Sequence, residues 1–219
     1  MKQTQFFITL ILLLPGCGRL VDWSKHHFDQ GTSRDLPTRT VRKHVRHARV
    51  YDDFSTVGLF DVLWLSDDVR QAYVDAYASK FLKDAASKES FLRRQLAEND
   101  HFLSFYVMSY VPDNTLPLGD KGSLWSVLLK VGNKYYEPKN VQSVELNPEY
   151  MKFLEPVMTK FKTVYLVKFE RKDTEGAAIL SSKSRELGIE FRTLDKSTRV
   201  AWSVDPQLHL RKKHEGRLV

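Results

Sequence analysis

The chain has 219 residues, of which 42% are hydrophobic, 28% charged and 12% aromatic, with 34 lysine and arginine residues against 27 aspartate and glutamate residues. This length suffices for one or two globular domains with a substantial core. Ten glycines and eight prolines exclude a collagen-like or low-complexity chain, and the aromatic content excludes intrinsic disorder. The same figures exclude a multi-span membrane protein.

The first sixteen residues have the layout of a signal peptide. Lys2 is positively charged, an apolar run extends from Phe6 to Leu14, and Pro15-Gly16 precede the only cysteine of the chain, Cys17. A nine-residue run rises only about 13 Å as a helix, whereas the hydrocarbon core of a bilayer is about 30 Å thick. We therefore expect export rather than a permanent membrane-spanning helix.

The end of this segment, Leu14-Pro15-Gly16-Cys17, resembles the lipobox of bacterial lipoproteins. In that family a cysteine after a small residue is lipidated and becomes the first residue of the mature chain. The resemblance implies that Cys17 carries fatty-acyl chains such as palmitate, and several chains together give stable membrane attachment. A lone cysteine fits this role because it can form no internal disulfide. The alternative is an ordinary signal peptide, or a short buried apolar helix, that happens to end at a cysteine.

Residues 17–40 mix glycine, serine, threonine, aspartate and proline without a sustained period, which is typical of a tether. Gly18, rather than aspartate, follows the cysteine, and in this family that favours the outer membrane, facing the periplasm. Six basic residues against one aspartate lie between Arg34 and Arg49. Beside a lipid anchor, anionic headgroups would attract them by roughly 1 kcal/mol per basic residue. The alternative is an edge strand, where lysine and arginine prevent unwanted pairing.

Hydrophobic periodicity predicts the elements of the first half of the folded body. Ser66 is a typical N-cap, and Asp67 and Asp68 suit the positive end of a helix dipole. The predicted elements are a strand over 50–65 that bends at Gly58, a helical region over 67–96 that breaks near Ser87, and a central strand over 102–111.

The second half shows shorter apolar segments separated by turn residues. Gly132-Asn133 is a typical hairpin turn, and Asn147-Pro148 is a typical helix start. The predicted elements are strands over 124–131 and 134–136, a strand over 141–146, a helix over 148–154, a strand over 161–169, and a closing hairpin over 189–194 and 200–204.

Because strands outnumber helices and join through turns, the sequence predicts an α+β fold. It is a single domain, mainly an antiparallel β-sheet or sandwich, with one long helical insertion and one short helix. The expected boundaries are a signal peptide over 1–16, a lipid-anchored tether over 17–40, the domain over 41–205 and a basic tail over 206–219. The strand patterns over 125–129, 165–169 and 200–202 resemble those of uncharacterised bacterial lipoproteins, a resemblance that implies no activity for any residue.

Motifs for known chemistry are missing from the sequence. It contains no G-x-S-x-G nucleophile elbow, no phosphate-binding glycine loop and no H-E-x-x-H zinc motif. His101 is the one histidine between long elements, and it is a candidate base or simply a junction residue. The acidic pairs Asp52-Asp53 and Asp67-Asp68 fit the two carboxylates of a glycosidase, or a strand break and a helix cap.

The sequence contains features typical of metal binding and of nucleic-acid binding, and other features argue against each. His44 and His47 are three residues apart and would meet a metal from one helix face, but Arg42, Lys43 and Arg46 would repel a dication. A pI near 9.4 favours nucleic acid, which an exported chain rarely meets. We therefore expect no cofactor, no metal and no nucleic-acid partner.

These observations together predict a membrane-anchored bacterial envelope lipoprotein. We expect a noncatalytic binding or structural module for an envelope protein or glycan, attached to the membrane through the lipid on Cys17. The alternative is a periplasmic hydrolase with a carboxylate and histidine site. That alternative requires two or more of the following residues to converge in a concave pocket: Asp52, Asp53, Asp67, Asp68 and His101.

Overall fold

The computed structural model describes residues 36–112, 116–120, 122–181 and 183–204. These residues form four helices and nine strands. In chain order they are α1 (Leu36–Lys43), β1 (Val45–Asp52), β2 (Ser55–Trp64), α2 (Asp67–Lys80), α3 (Ala85–His101), β3 (Phe102–Tyr110), β4 (Ser126–Val131), β5 (Lys134–Tyr136), β6 (Asn140–Ser143), α4 (Pro148–Leu154), β7 (Thr163–Glu170), β8 (Glu186–Arg192) and β9 (Ser197–Ser203).

The strands form two antiparallel sheets that face each other. One sheet has the order β1-β2-β3-β7-β6 and the other the order β5-β4-β8-β9. Large aromatic side chains fill the space between them. Phe60 stacks on Phe191, with ring centroids 4.0 Å apart, and meets Trp125 edge to face at 4.9 Å. The expected α+β fold with an antiparallel sandwich is confirmed.

The helices cover the other face of the five-stranded sheet. Along β3, Phe105 and Val107 belong to the core between the sheets, whereas Met108 belongs to the core under the helices. This alternation follows from the two-residue period of a strand. β3 is therefore buried on both faces, as the prediction of a central strand requires.

The two sheets are connected along both sides of the sandwich. Where β1 lies beside β9, the indole nitrogen of Trp202 donates to the His44 carbonyl at 2.7 Å, and Arg46 Nε donates to the Ala201 carbonyl at 3.0 Å. The other two edge strands, β5 and β6, follow each other in the chain, and only residues 137–139 connect them.

The prediction of one strand over 50–65 is wrong. The chain reverses at Asp53, which has a φ of 49°, and β1 and β2 pair as a hairpin closed by Asp52 opposite Ser55. An aspartate tolerates this left-handed conformation better than most residues. β1 is an edge strand of its sheet, so Arg46 and Arg49 lie where the edge-strand alternative predicted.

The long helical region starts and breaks at local capping signals. The Val69 amide donates to Ser66 Oγ at 3.4 Å, which confirms the N-cap. The break lies between Lys80 and Ala85 rather than near Ser87, because Asp84 caps α3 and accepts from the Ser87 amide at 2.6 Å. Ser87 is therefore in the first turn of α3.

Two other boundaries bear on the interpretation of the sequence. Residues 36–40, interpreted from sequence as tether, are the first five residues of α1, and Val41 of the same helix is fully buried. Helix α4 begins and ends where predicted, although Asn147 donates its side-chain amide to the Tyr73 hydroxyl at 3.2 Å rather than capping the helix. In the described part of the chain, no helix combines the length and the apolar character needed to cross a bilayer.

Candidate functional site

The predicted lipidation site, Cys17, lies outside the described residues, as do the signal peptide and the basic tail. Lipidation of Cys17 therefore stays a prediction. The other candidate residues from the sequence all lie in the described part, where their positions can be compared.

The carboxylates proposed for a hydrolase are not brought together. Asp52 and Asp53 lie at the turn before β2, and Asp67 and Asp68 follow its other end. β2 has ten residues and so separates the two pairs by about 30 Å. His101 ends α3 and is exposed.

Three of these residues have separate contacts with other parts of the fold. Asp52 pairs with Lys196 at 2.9 Å, and Asp67 accepts from the side-chain amide of Asn99 at 2.9 Å. The backbone carbonyl of His101 accepts from the Arg171 amide at 3.0 Å. Neither of the two clefts described below is lined by any of the five proposed residues.

The two histidines considered as a metal pair do not form one. His47 lies on strand β1, and His44 lies immediately before it. In an extended chain a spacing of three residues places the two side chains on opposite faces. His44 packs edge to face on Trp64, and burial lowers its pKa despite the opposing charge of Asp68. Over the described ranges no cluster of three metal-ligating side chains occurs.

His47 instead contacts Asp61, which lies opposite it on β2. The Asp61 carboxylate is only 6% exposed and also binds Lys162, whose ammonium donates to the Val157 carbonyl at 2.5 Å. His47 is 47% exposed, so its ring extends from the buried carboxylate to the surface. In the described residues no serine, threonine or cysteine is hydrogen-bonded to His47, so this contact orients an imidazole without a nucleophile beside it.

A second buried network holds helices α2 and α3 together. Arg70 is 3% exposed, and its Nε donates to Asn99 Oδ1 at 2.7 Å while Nη1 donates to Gln95 Oε1 at 3.2 Å. Its Nη2 lies 3.1 Å from Glu98 Oε2 in an ion pair, and Glu98 also binds Lys168. Burial raises the pKa of Glu98, but the Lys168 hydrogen bond and the charge of Arg70 outweigh it and hold that pKa below its usual value.

Sequence reasoning missed Asp61 and Arg70, although a signal for both existed. Asp61 lies between the apolar residues Phe60 and Val62, and Arg70 follows Val69 and precedes Val74 by one helical turn. Charged residues in such apolar surroundings are almost never buried unless they are paired. Their partners were not predictable, since Lys162 lies 101 residues from Asp61 and Asn99 lies 29 residues from Arg70.

A cleft of about 490 Å³ opens between α2 and α3 near the turn that joins them. Its lining combines three cationic side chains, two aromatic side chains, two serines and two alanines: Lys83, Lys88, Arg94, Tyr77, Phe91, Ser87, Ser90, Ala78 and Ala86. No carboxylate belongs to this lining. The cleft therefore suits an anionic ligand.

A second groove, of about 600 Å³, runs along α4. Met151 and Met158 give it an apolar character, and Lys152, Glu155 and Lys160 give it charges of both signs. Flexible methionine side chains adapt to many partners, so the groove is less specific than the cationic cleft.

Comparison with known proteins adds no assignment. The chain matched no protein-family model, no curated protein and no solved structure.

Proposed function

We propose that this protein is a bacterial cell-envelope lipoprotein, anchored to the membrane by acyl chains on Cys17, whose folded body is a noncatalytic binding module. The observation that carries the proposal is the lipobox-like Leu14-Pro15-Gly16-Cys17, which ends an apolar leader and contains the only cysteine of the chain. Residues 18–35 connect this cysteine to α1 and span no more than about 60 Å when fully extended. The body would therefore stay close to the membrane that holds the anchor.

Binding rather than catalysis is supported by where the charged side chains are used. Asp61, Arg70 and Glu149 are buried, and each is paired with side chains of other elements: Lys162, Glu98 and Lys80 respectively. These pairs join α2 to α3, α2 to α4, and β2 to the loop before β7. The accessible clefts carry cationic, aromatic and methionine side chains, which suit recognition of a partner.

The anchor is tested by mass spectrometry of the protein extracted from membranes of a bacterial host. We expect an acylated N-terminal Cys17 in the wild type and no acylation in Cys17→Ser. A matched control, Cys17→Ser with Ser24→Cys, keeps one thiol but moves it from the cleavage site, and it should stay unacylated. A free Cys17, or a chain that keeps residues 1–16, would overturn the lipoprotein assignment.

The second candidate function, a periplasmic hydrolase, is favoured by one observation, the contact between His47 and the buried Asp61. A carboxylate that orients an imidazole is part of many general-base sites. The test is turnover of cell-wall glycan and ester substrates by the wild type, His47→Asn and, as a control, His101→Asn. Activity lost only in His47→Asn would establish the hydrolase, and equal inactivity of all three supports the binding module.

A further inference from the structure

We propose that the α2–α3 hairpin is a second membrane contact, in which Phe81 and Leu82 enter the bilayer interface and the adjacent cleft receives the phosphate of an anionic phospholipid. The inference deepens the proposed function, because it gives the anchored body a defined orientation on the membrane.

The turn between α2 and α3 displays apolar side chains at a cost to the fold. Phe81 is 48% exposed and Leu82 is 91% exposed. Leu82 has a φ of 49°, and the Lys83 amide donates to the Ala78 carbonyl at 2.9 Å. This is the Schellman ending of a helix, in which the left-handed position is usually glycine. Folding alone would favour glycine over an exposed, strained leucine at this position, so the leucine points to a contact outside the chain.

The cleft beside the turn supplies positive charge without opposing carboxylates in its lining. Lys83, Lys88 and Arg94 line it together with Ser90, whose hydroxyl is a hydrogen-bond donor. Ser87 also lines the cleft, but it is already bonded to Asp84, the cap of α3. Lys88 pairs with Asp75 at 2.7 Å, but both side chains are more than a third exposed. Such surface pairs are weak, so a phosphate can replace the carboxylate. Cations bordering an exposed apolar tip are the combination that binds the interface of an anionic membrane.

The other fully exposed apolar side chains lie in a different electrostatic setting. Phe54, at the β1–β2 turn, and Leu194, at the β8–β9 turn, project into solvent. Their turns carry Asp52, Asp53 and Asp195 against the single cation Lys196, whereas the α2–α3 turn carries Lys80 and Lys83 against the single carboxylate Asp84. The charges therefore favour the α2–α3 turn as the membrane contact and make the β8–β9 turn a matched control.

The test uses the full chain with Cys17→Ser, which removes the acyl anchor and leaves no other thiol. A polarity-sensitive fluorophore is attached to Ser79→Cys, one turn before the α2–α3 tip, or to the control position Ser197→Cys beside the β8–β9 turn; both serines are exposed. The label reports its own surroundings, so any binding through residues 1–16 does not imitate the result. We expect a blue shift at position 79 with phosphatidylglycerol vesicles, little shift with phosphatidylcholine vesicles, and none at position 197.

Two sets of substitutions in the Ser79→Cys chain connect the shift to the proposed groups. Lys83→Glu with Arg94→Glu should abolish the preference for phosphatidylglycerol. Leu82→Gly should lower the apparent affinity for phosphatidylglycerol vesicles, read from the spectral shift, by about tenfold, because it removes the aliphatic side chain that would enter the bilayer interface. Because glycine suits the left-handed position, Leu82→Gly should unfold no more easily than its parent, which separates lost contact from lost structure.

Three outcomes would overturn the proposal: an aqueous spectrum at position 79 on phosphatidylglycerol vesicles, an equal shift at position 197, or a shift produced equally by inorganic phosphate without vesicles. The last would make the cleft a site for a soluble anion. Failure here with an acylated Cys17 leaves the lipoprotein assignment intact, whereas a positive result with an unmodified Cys17 would separate the membrane contact from the anchor.

Discussion

The two faces of the five-stranded sheet are stabilised in different ways. The face toward the second sheet is apolar and aromatic, with Phe60, Phe105 and Phe169 fully buried. The face under the helices also buries apolar side chains, but Asp61 and Arg70 lie in this layer and are paired across elements. Burial of apolar area is the larger and less directional contribution, whereas a buried ion pair requires one geometry. The sandwich side contains the larger cluster of buried apolar residues, and the ionic contacts on the other side join α2 to α3 and to α4.

The largest expected effect comes from the sandwich. Phe60→Ala removes a ring that contacts both Trp125 and Phe191, and we expect it to lower the free energy of unfolding by about 4 kcal/mol, measured in urea. Phe54→Ala is the matched control on the same strand hairpin. Its side chain is exposed, so a change above about 0.5 kcal/mol there would contradict the comparison.

On the helix side of the sheet, removal of one partner of a buried ion pair should lower the free energy of unfolding. Asp61→Ala leaves the Lys162 ammonium nearly buried without its carboxylate, and we expect a loss of about 3 kcal/mol. The double variant Asp61→Leu with Lys162→Met removes both charges and should recover most of that loss. A double variant no more stable than Asp61→Ala would show that Asp61 has a role beyond pairing.

A smaller effect should appear in the dependence of stability on pH. The folded-state pKa of Glu98 lies below its usual value of 4.5, so the unfolded chain binds the proton more tightly. This contribution is present above pH 4.5 and is lost as the pH falls through the folded-state pKa. Glu98→Gln should flatten the acid side of the stability curve, whereas Glu89→Gln, at an exposed position, should leave it unchanged.

The smallest expected change in stability is at the α2–α3 turn. Leu82→Gly relieves the left-handed conformation of a leucine but increases the freedom of the unfolded chain, so we expect a gain of no more than about 0.5 kcal/mol. Thermal unfolding of the purified chain measures it. A clear loss of stability would mean that the leucine side chain is needed by the fold itself.

Local signals made parts of this fold predictable. Asn147-Pro148 located α4, Ser66 located the start of α2, and Gly132 located the β4–β5 turn, because each acts on residues within a few positions of itself. The turn at Asp53 was missed because apolar and aromatic residues on both sides imitate one continuous strand. The start of α1 was missed because its single buried residue, Val41, gives no periodic signal.

The candidate sites also differ in whether a local sequence signal reveals them. A candidate at Cys17 was predictable because a lipobox-like motif is contiguous, and its lipidation stays a prediction. The cationic cleft was not predictable, although all its lining residues lie between Tyr77 and Arg94. The sequence predicted a helix break near Ser87, but the break lies between Lys80 and Ala85. The cleft lies beside this break, and Lys83 of the connecting turn lines it.

The side of the sandwich where β1 meets β9 would have a consequence if the proposed lipid anchor crowds this protein on a membrane surface. An open sheet edge presents unpaired amides and carbonyls on which a second chain can assemble as an additional strand. Here β1 and β9 are bonded through Trp202 and Arg46, and β5 and β6 are short strands joined by three residues. If the proposed anchor on Cys17 holds neighbouring copies side by side, the β1 and β9 edges are already bonded to each other, and only the short β5 and β6 edges remain for the addition of a strand.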